Sequence, residues 1–269
     1  MNLKIVLVVT MIAILTVSVI TLGVVTVNAS NNDRPVTFLI QDDEGVYFWT
    51  MGKGETVRDA FEDAADSYGI PYTLGSDSNV STLFGIAASD GKNWSTLYWN
   101  DKNEKWDIAG TSMKNTKTLQ QRYVCIVLSA DPAGEALCAK NDAVVLEKDL
   151  SKLDVRFLLQ SPSGLYFKFG VSGDFEFVGE ALRAACEKYK IPCELPDSPY
   201  WGISVDSLFG IAMTSVPPYV WWGQSTFDPS SGTWKANNLG IGNYPVENLN
   251  GNYFGLCYGD SYSRPTVTP

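Results

Sequence analysis

Along the chain, apolar and polar positions follow three successive patterns. Ile5 to Val27 is an uncharged apolar run behind Lys4. About 20 apolar residues cover a bilayer, whereas a secretory hydrophobic region is usually shorter, roughly 7–15 residues. The run closes on Val27-Asn28-Ala29, small residues at the positions a signal peptidase reads. Residues 1–29 are therefore expected to be a signal peptide or, if uncleaved, a membrane anchor through residues 5–27. Either way the rest of the chain is delivered to the extracytoplasmic side, membrane-anchored at the cell surface or secreted.

The second pattern is alternation. Val36–Gln41 and Val46–Thr50 alternate around an acidic turn at Asp42-Asp-Glu-Gly45, which predicts a strand pair. The third is helical: Val57, Ala60, Phe61, Ala64 and Tyr68 fall on one stripe. Thr56 and Asp59 resemble a capping box, and Gly69 followed by Pro71 stops the helix. Short strands rich in Trp and Tyr follow, with turns at Asn100–Lys105 and Asp228–Gly232 and a last strand at Tyr123–Leu128.

This order occurs twice. The residues LFGIA stand at Leu83–Ala87 and again at Leu208–Ala212. Upstream, Val36–Gln41 with Gly45–Phe48 matches Val155–Gln160 with Gly164–Phe167, and the helical stripe recurs as Val178, Ala181, Leu182, Ala185 and Tyr189. The second helix lacks both the Thr cap and the stop glycine. Aligned without a gap, residues 80–101 run against 205–226, which pairs Trp94 with Tyr219, Thr96 with Trp221 and Tyr98 with Gly223; further on, Trp106 answers Trp234 and Cys125 answers Cys257. The expected organisation is a first unit at 35–130, a linker at 131–152 and a second unit at 153–261. One helix on a small mixed sheet in each unit makes the fold class α+β, two tandem β-grasp-like domains behind an N-terminal apolar helix.

Composition removes several functions. The chain has 269 residues, with 30 Asp+Glu against 20 Lys+Arg, a net charge of −10 and no histidine. An acidic chain without a basic cluster is not a nucleic-acid partner. Absence of histidine excludes Ser-His-Asp and Cys-His catalysis and His-containing zinc sites. No G-x-S-x-G, phosphate-cradling glycine loop or H-E-x-x-H is present, and the acids of the Asp42–Glu44 turn lack calcium-loop spacing. We expect no enzyme, no catalytic residue, no metal and no required cofactor. Of the five cysteines, Cys186 and Cys193 are close enough to bridge a helix end and the turn after it, or they stay free and buried. Asn79-Val-Ser81 and Asn93-Trp-Ser95 are glycosylation sequons that fit an exported chain.

The eight tryptophans carry more weight. In Trp94–Trp99 alternate residues face opposite sides of a strand, with Trp94, Thr96 and Tyr98 sharing one face. A sheet covered by one helix needs a single apolar face, so aromatics on both faces are expected to leave a platform for a ring-shaped ligand or a partner. Ordinary core packing and contact between the units is the other reading.

Ser198-Pro-Tyr-Trp-Gly-Ile-Ser-Val-Asp-Ser-Leu-Phe-Gly-Ile211 resembles the S-x-W-G-x-Y-V-x-S-I-x-G-L signature in the C-terminal β-domain of transcobalamin and intrinsic factor. Asn93–Leu97 and Tyr219–Trp222 stand where that domain has its aromatic strand, and the likeness covers most of each unit. The resemblance implies a β-grasp-like fold of the kind carried in tandem by prokaryotic surface proteins. It also implies contact with a corrin ring, with cobalamin as the bound corrinoid. By position the ligand-binding candidates are Tyr200, Trp201 and Gly202 in the loop, Tyr219, Trp221 and Trp222 on the strand, and Trp94, Thr96 and Tyr98 in the first unit. That unit's loop, Gly75–Asn79, lacks the Trp-Gly pair, and the large helical domain with which the carriers close over their ligand has no counterpart here. The expected function is a non-enzymatic, extracytoplasmic binding protein for a small planar ligand. The alternative is a structural or adhesive cell-surface module that binds a protein partner.

Overall fold

The computed structural model describes residues 34–76, 79–132, 136–260 and 263–269. The signal or anchor run, expected as an N-terminal apolar helix, lies outside them. Among the described residues no helix is long and apolar enough to cross a membrane.

The described chain is a mixed helix-and-sheet structure with two twelve-residue α-helices and several sheets. Its first five-stranded sheet is built from β1 (Arg34–Gln41), β2 (Tyr47–Gly54), β3 (Asn93–Asn100), β4 (Lys105–Ile108) and β5 (Tyr123–Ser129), in spatial order β2-β1-β5-β3-β4. The second contains β6 (Val155–Gln160), β7 (Tyr166–Val171), β8 (Trp221–Asp228), β9 (Thr233–Ala236) and β10 (Tyr253–Gly259) in the same order, β7-β6-β10-β8-β9. In each, the first and last strands of the unit lie parallel at the centre and the other pairings are antiparallel.

Helix α1 (Val57–Tyr68) begins at a complete capping box. Thr56 Oγ1 accepts from Asp59 N at 3.2 Å, and Asp59 Oδ2 accepts from Thr56 N at 3.0 Å. It ends at Gly69 in the left-handed region. Its buried face lies so close to β2 that a Cβ on Gly52 would meet Ala60 O at 1.9 Å. Helix α2 (Val178–Tyr189) keeps only the acidic half of the box, Glu180 accepting from Phe177 N, and ends with Lys190 at φ 54°. The second copy holds the helix with weaker end signals because packing, more than propensity, stabilises it.

One apolar core runs through both units. At its centre Phe48 of β2 stacks on Phe167 of β7, the same position in the other copy, with centroids 5.0 Å apart. Around that pair the ring contacts between the units and with the two hairpin phenylalanines each occur twice. Tyr47 meets Phe209 at 5.2 Å and Tyr166 meets Phe84 at 4.7 Å; Phe48–Phe84 and Phe167–Phe209 are both 6.1 Å. The two units thus meet across a pseudo-twofold axis through equivalent surfaces. The LFGIA repeat supplies the outer rings. Phe84-Gly85 and Phe209-Gly210 occupy tight hairpin turns with φ positive at both residues, φ being 56° at each Phe. Such turns favour Asn-Gly, and a left-handed bulky residue costs about 1–3 kcal/mol. Phenylalanine stands there because its ring reaches the opposite unit. Beside the rings, buried Asp42 accepts from Ser161 Oγ at 2.7 Å and Ser163 Oγ at 2.6 Å.

A second cluster, on the opposite face of the first sheet, contains Leu39, Trp49, Leu97, Trp99, Trp106, Cys125, Val127 and Cys138. The aromatics on this face do not form an open platform, because part of the segment read as a linker lies over them. Trp106 Nε1 donates to Cys138 O at 2.6 Å, Leu137 N donates to Gln41 Oε1 at 3.0 Å, and Val145 bridges Trp49. The C-terminal tail repeats the device on the second sheet, with Trp234 Nε1 donating to Val267 O at 2.7 Å and Thr266 N to Gln160 Oε1 at 2.8 Å. Each unit carries a strap, held by an equivalent Gln and Trp.

Candidate functional site

Three of the residues singled out by sequence stand in solvent: Tyr200 is 84% exposed, Trp201 66% and Tyr219 54%. Tyr200 and Trp201 form the tip of a hairpin whose arms pair Asp197 with Ile203 and Ser198 with Gly202. Ser198 Oγ accepts from Tyr200 N at 3.4 Å and Trp201 N at 3.3 Å, which folds the tip back on its own arm. The base is fixed to α2, where Arg183 donates to Leu195 O at 2.8 Å and Asp197 Oδ1 at 3.0 Å. Gly202 sits at φ 66° against the backbone of Gly242, where a Cβ would come within 2.7 Å of the Gly242 carbonyl oxygen. The Trp-Gly pair of the motif therefore divides its work: the glycine seats the hairpin and the tryptophan projects from it.

Tyr219 belongs to a second loop. Thr214 N donates to Val220 O and Val220 N donates to Thr214 Oγ1, both at 2.8 Å, closing residues 214–220 on themselves. The same stretch of chain leaves Met213 48% and Val216 67% exposed.

Most of the remaining candidates are buried or half-buried. Trp222 is 1% exposed, its Nε1 donates to Ile211 O at 3.0 Å, and its ring lies against Tyr258. Trp94 is buried and donates to Ile86 O at 2.8 Å. Thr96 is buried, and half-buried Tyr98 donates to Thr116 Oγ1 at 3.0 Å. Burial raises the Tyr98 pKa. Trp221 is half-exposed. A first-unit platform of Trp94, Thr96 and Tyr98 is thus not present, because the Val80–Leu83 and Ile86–Ala87 hairpin and residues 111–116 lie over that strand face.

The sequence pairings along the aromatic strand and at the cysteines also change, with Thr96 answering Gln224 and Tyr98 answering Thr226. Trp94 and Trp222 bond the equivalent residues Ile86 and Ile211, so Trp94 answers Trp222 and not Tyr219. The second unit takes a longer path from Ile211 to its strand, and the extra residues form the Tyr219 loop. Strand register likewise places Leu39 beside Cys125 but Leu158 beside Gly255, while Gln41 and Gln160 face Val127 and Cys257. Cys125 therefore corresponds to Gly255, and Cys257 to Val127.

All five cysteines are free thiols. Cys186 and Cys193 share a thiol–thiol hydrogen bond, which lowers the pKa of Cys193 and, with burial, raises that of Cys186. Among the described residues no group of three His, Cys, Asp or Glu side chains is placed to hold a metal ion. Among the described residues the aromatic contact between the units leaves no ligand cleft. The void among Phe48, Phe84, Tyr166 and Phe167 measures about 20 Å³, room for one water molecule.

A different opening escaped the sequence pattern. A pocket of about 310 Å³ lies at the seam between α1, residues 147–151 and the second sheet. Its cations, Lys148, Arg156 and Lys168, come from three separate elements, so no run of basic residues announced it. No known protein-family profile matches the chain, and no curated protein matches it.

Proposed function

We propose that the chain is a non-enzymatic, extracytoplasmic binding protein made of two β-grasp units. Its ligand contact is the aromatic surface of Tyr200, Trp201 and Tyr219. The observation that carries this reading is the exposure of Trp201. Of eight tryptophans it alone keeps most of its ring in water, at the tip of a hairpin anchored at its base. An exposed ring on a fixed base meets a flat ligand at low ordering cost. Support for the β-grasp assignment is the strand order of each sheet, with a parallel central pair and one crossing helix.

A corrinoid is the planar ligand suggested by the S-P-Y-W-G motif and its resemblance to the vitamin carriers. With the contact between units filled by phenylalanines, the ligand is held on one face only, and affinity is correspondingly modest. Met213 and Val216 extend the apolar surface around Tyr219 and support a second reading, in which a protein partner covers the same patch.

The test is a titration of the full-length protein in detergent with cobinamide, followed by tryptophan fluorescence corrected for ligand absorbance. Saturation below about 1 mM, a binding free energy of roughly −4 kcal/mol or better, abolished by Trp201→Ala, is the expected result. Absence of saturation, or an unchanged curve in Trp201→Ala, discards the corrinoid and leaves the protein-partner reading.

A further inference from the structure

We propose that the seam pocket is a second binding site, for a phosphate-type oxyanion. The argument starts from charge. The chain has a net charge of −10, yet this pocket gathers Lys148, Arg156 and Lys168 against a single lining carboxylate, Glu147. That carboxylate is already engaged by Lys188 at 3.1 Å. Lys148 reaches Asp63 only at 4.0 Å, with Ser67 Oγ at 3.2 Å and the Tyr68 ring beneath it.

Arg156 and Lys168 have no carboxylate partner among the described residues. Arg156 spends one Nη on the Gly251 carbonyl and lies over the Tyr253 ring at 5.3 Å, while its Nε is buried without any hydrogen-bond partner. Lys168 is half-buried on β7, and burial pulls its pKa down. A desolvated cation without a counter-ion is costly, as is a buried donor left unpaired. An oxyanion between the two cations supplies the missing counter-ion. It accepts from the Arg156 guanidinium that lines the pocket, from the ammonium of Lys168 and from the Ser67 hydroxyl that faces the same space.

Among the described residues the first unit has no equivalent. Its counterparts of Arg156 and Lys168 are Thr37 and Trp49, and Trp49 is buried under the strap. The pocket therefore exists because the symmetry between the units is broken by the connecting segment, which crosses on one side only. Pockets at such seams are common ligand sites, and this volume admits a phosphoryl group with a small body against Tyr68 and Tyr253.

The experiment is calorimetric titration of the full-length protein in detergent with inorganic phosphate and, separately, with phenyl phosphate, at low constant ionic strength. Saturable one-to-one binding of phosphate is expected, weakened by about tenfold or more in Lys168→Met and in Arg156→Lys. Lys168→Met should fold normally, with a melting temperature equal to or above the parent's. Tighter binding of phenyl phosphate identifies an organic phosphoryl ligand, and equal binding identifies the free oxyanion. A lysine kept only to guard the edge of the sheet would leave phosphate binding unchanged in a folded Lys168→Met. That result, or no saturation of either probe up to about 10 mM, overturns the proposal.

Discussion

Replacing Phe48 and Phe167 by leucine, singly and together, tests whether the two units are one cooperative body. Each ring is 4% exposed. Phe167 contacts Phe48, Phe169 and Phe209 with centroids at 5.0, 5.4 and 6.1 Å, and Phe48 contacts Phe84 as well. Leucine keeps most of the apolar volume but loses the ring pairs, at about 0.5–1.5 kcal/mol each. Phe48→Leu, which loses two pairs, should therefore cost roughly 1–3 kcal/mol, and Phe167→Leu, which loses three, about 1.5–4.5 kcal/mol. For a body of this size 1 kcal/mol moves the melting temperature by about 2–4 °C, so each variant should melt several degrees lower. Because the stacked pair is lost only once, the double variant should cost less than the sum of the singles, by about 0.5–1.5 kcal/mol. The assay is calorimetry with near-ultraviolet circular dichroism. Two separate transitions in the parent, or additivity within about 0.3 kcal/mol, would refute a continuous core across the twofold axis.

Other consequences follow from the same geometry. Trp106→Phe removes the bond to Cys138 O, at about 0.5–1.5 kcal/mol, and should raise hydrogen exchange at the Leu137 amide more than at β1; Trp234→Phe should do the same for the Thr266 amide. Trp201→Ala should leave stability within about 0.5 kcal/mol, whereas Trp222→Ala should cost about 3–5 kcal/mol, and equal effects in thermal melts would contradict the contrast in burial. Tyr68 donates to Leu146 O at 2.9 Å, and burial pushes its pKa from 10.0 to about 12. Its folded pKa is raised, so its contribution is fully present below pH 10 and is lost as pH rises through about 12. Chemical denaturation across pH 9 to 11 should accordingly fall more steeply for the parent than for Tyr68→Phe.

How much of this was legible beforehand follows from the range of each signal. Alternation along β1 and β2 and the stripe from Val57 to Tyr68 record which side of an element is apolar, and those elements form as their patterns require. The Thr56–Asp59 box and the Gly69 stop are local chemistry, readable within four residues. The repeat of LFGIA marked equivalent places, though not their purpose. That purpose depends on Phe84 and Phe209 reaching the opposite unit, and a linear pattern carries no information about the partner of a turn.

The same limit explains the aromatics. A period of two shows that Trp99 and Trp94 face opposite sides of β3, and both sides proved covered, one by the hairpin through Ile86 and the other by the strap through Cys138. Trp201 and Trp222 are alike in sequence, yet one stands in water and the other fills the core, because among the described residues nothing packs over the hairpin tip. The gapless pairing of Trp94 with Tyr219 failed for a related reason. A loop insertion leaves composition almost unchanged, while strand register is set by hydrogen bonds to β5 and β10. The basic seam pocket lay furthest from view, because Lys148, Arg156 and Lys168 are ordinary isolated cations until the connecting segment and the second sheet bring them around one space. The sequence alone determined the elements, their duplication and the sides they bury. What covers each side, and which charges meet without a partner, was decided by the tertiary structure, since burial and charge pairing depend on residues distant along the chain.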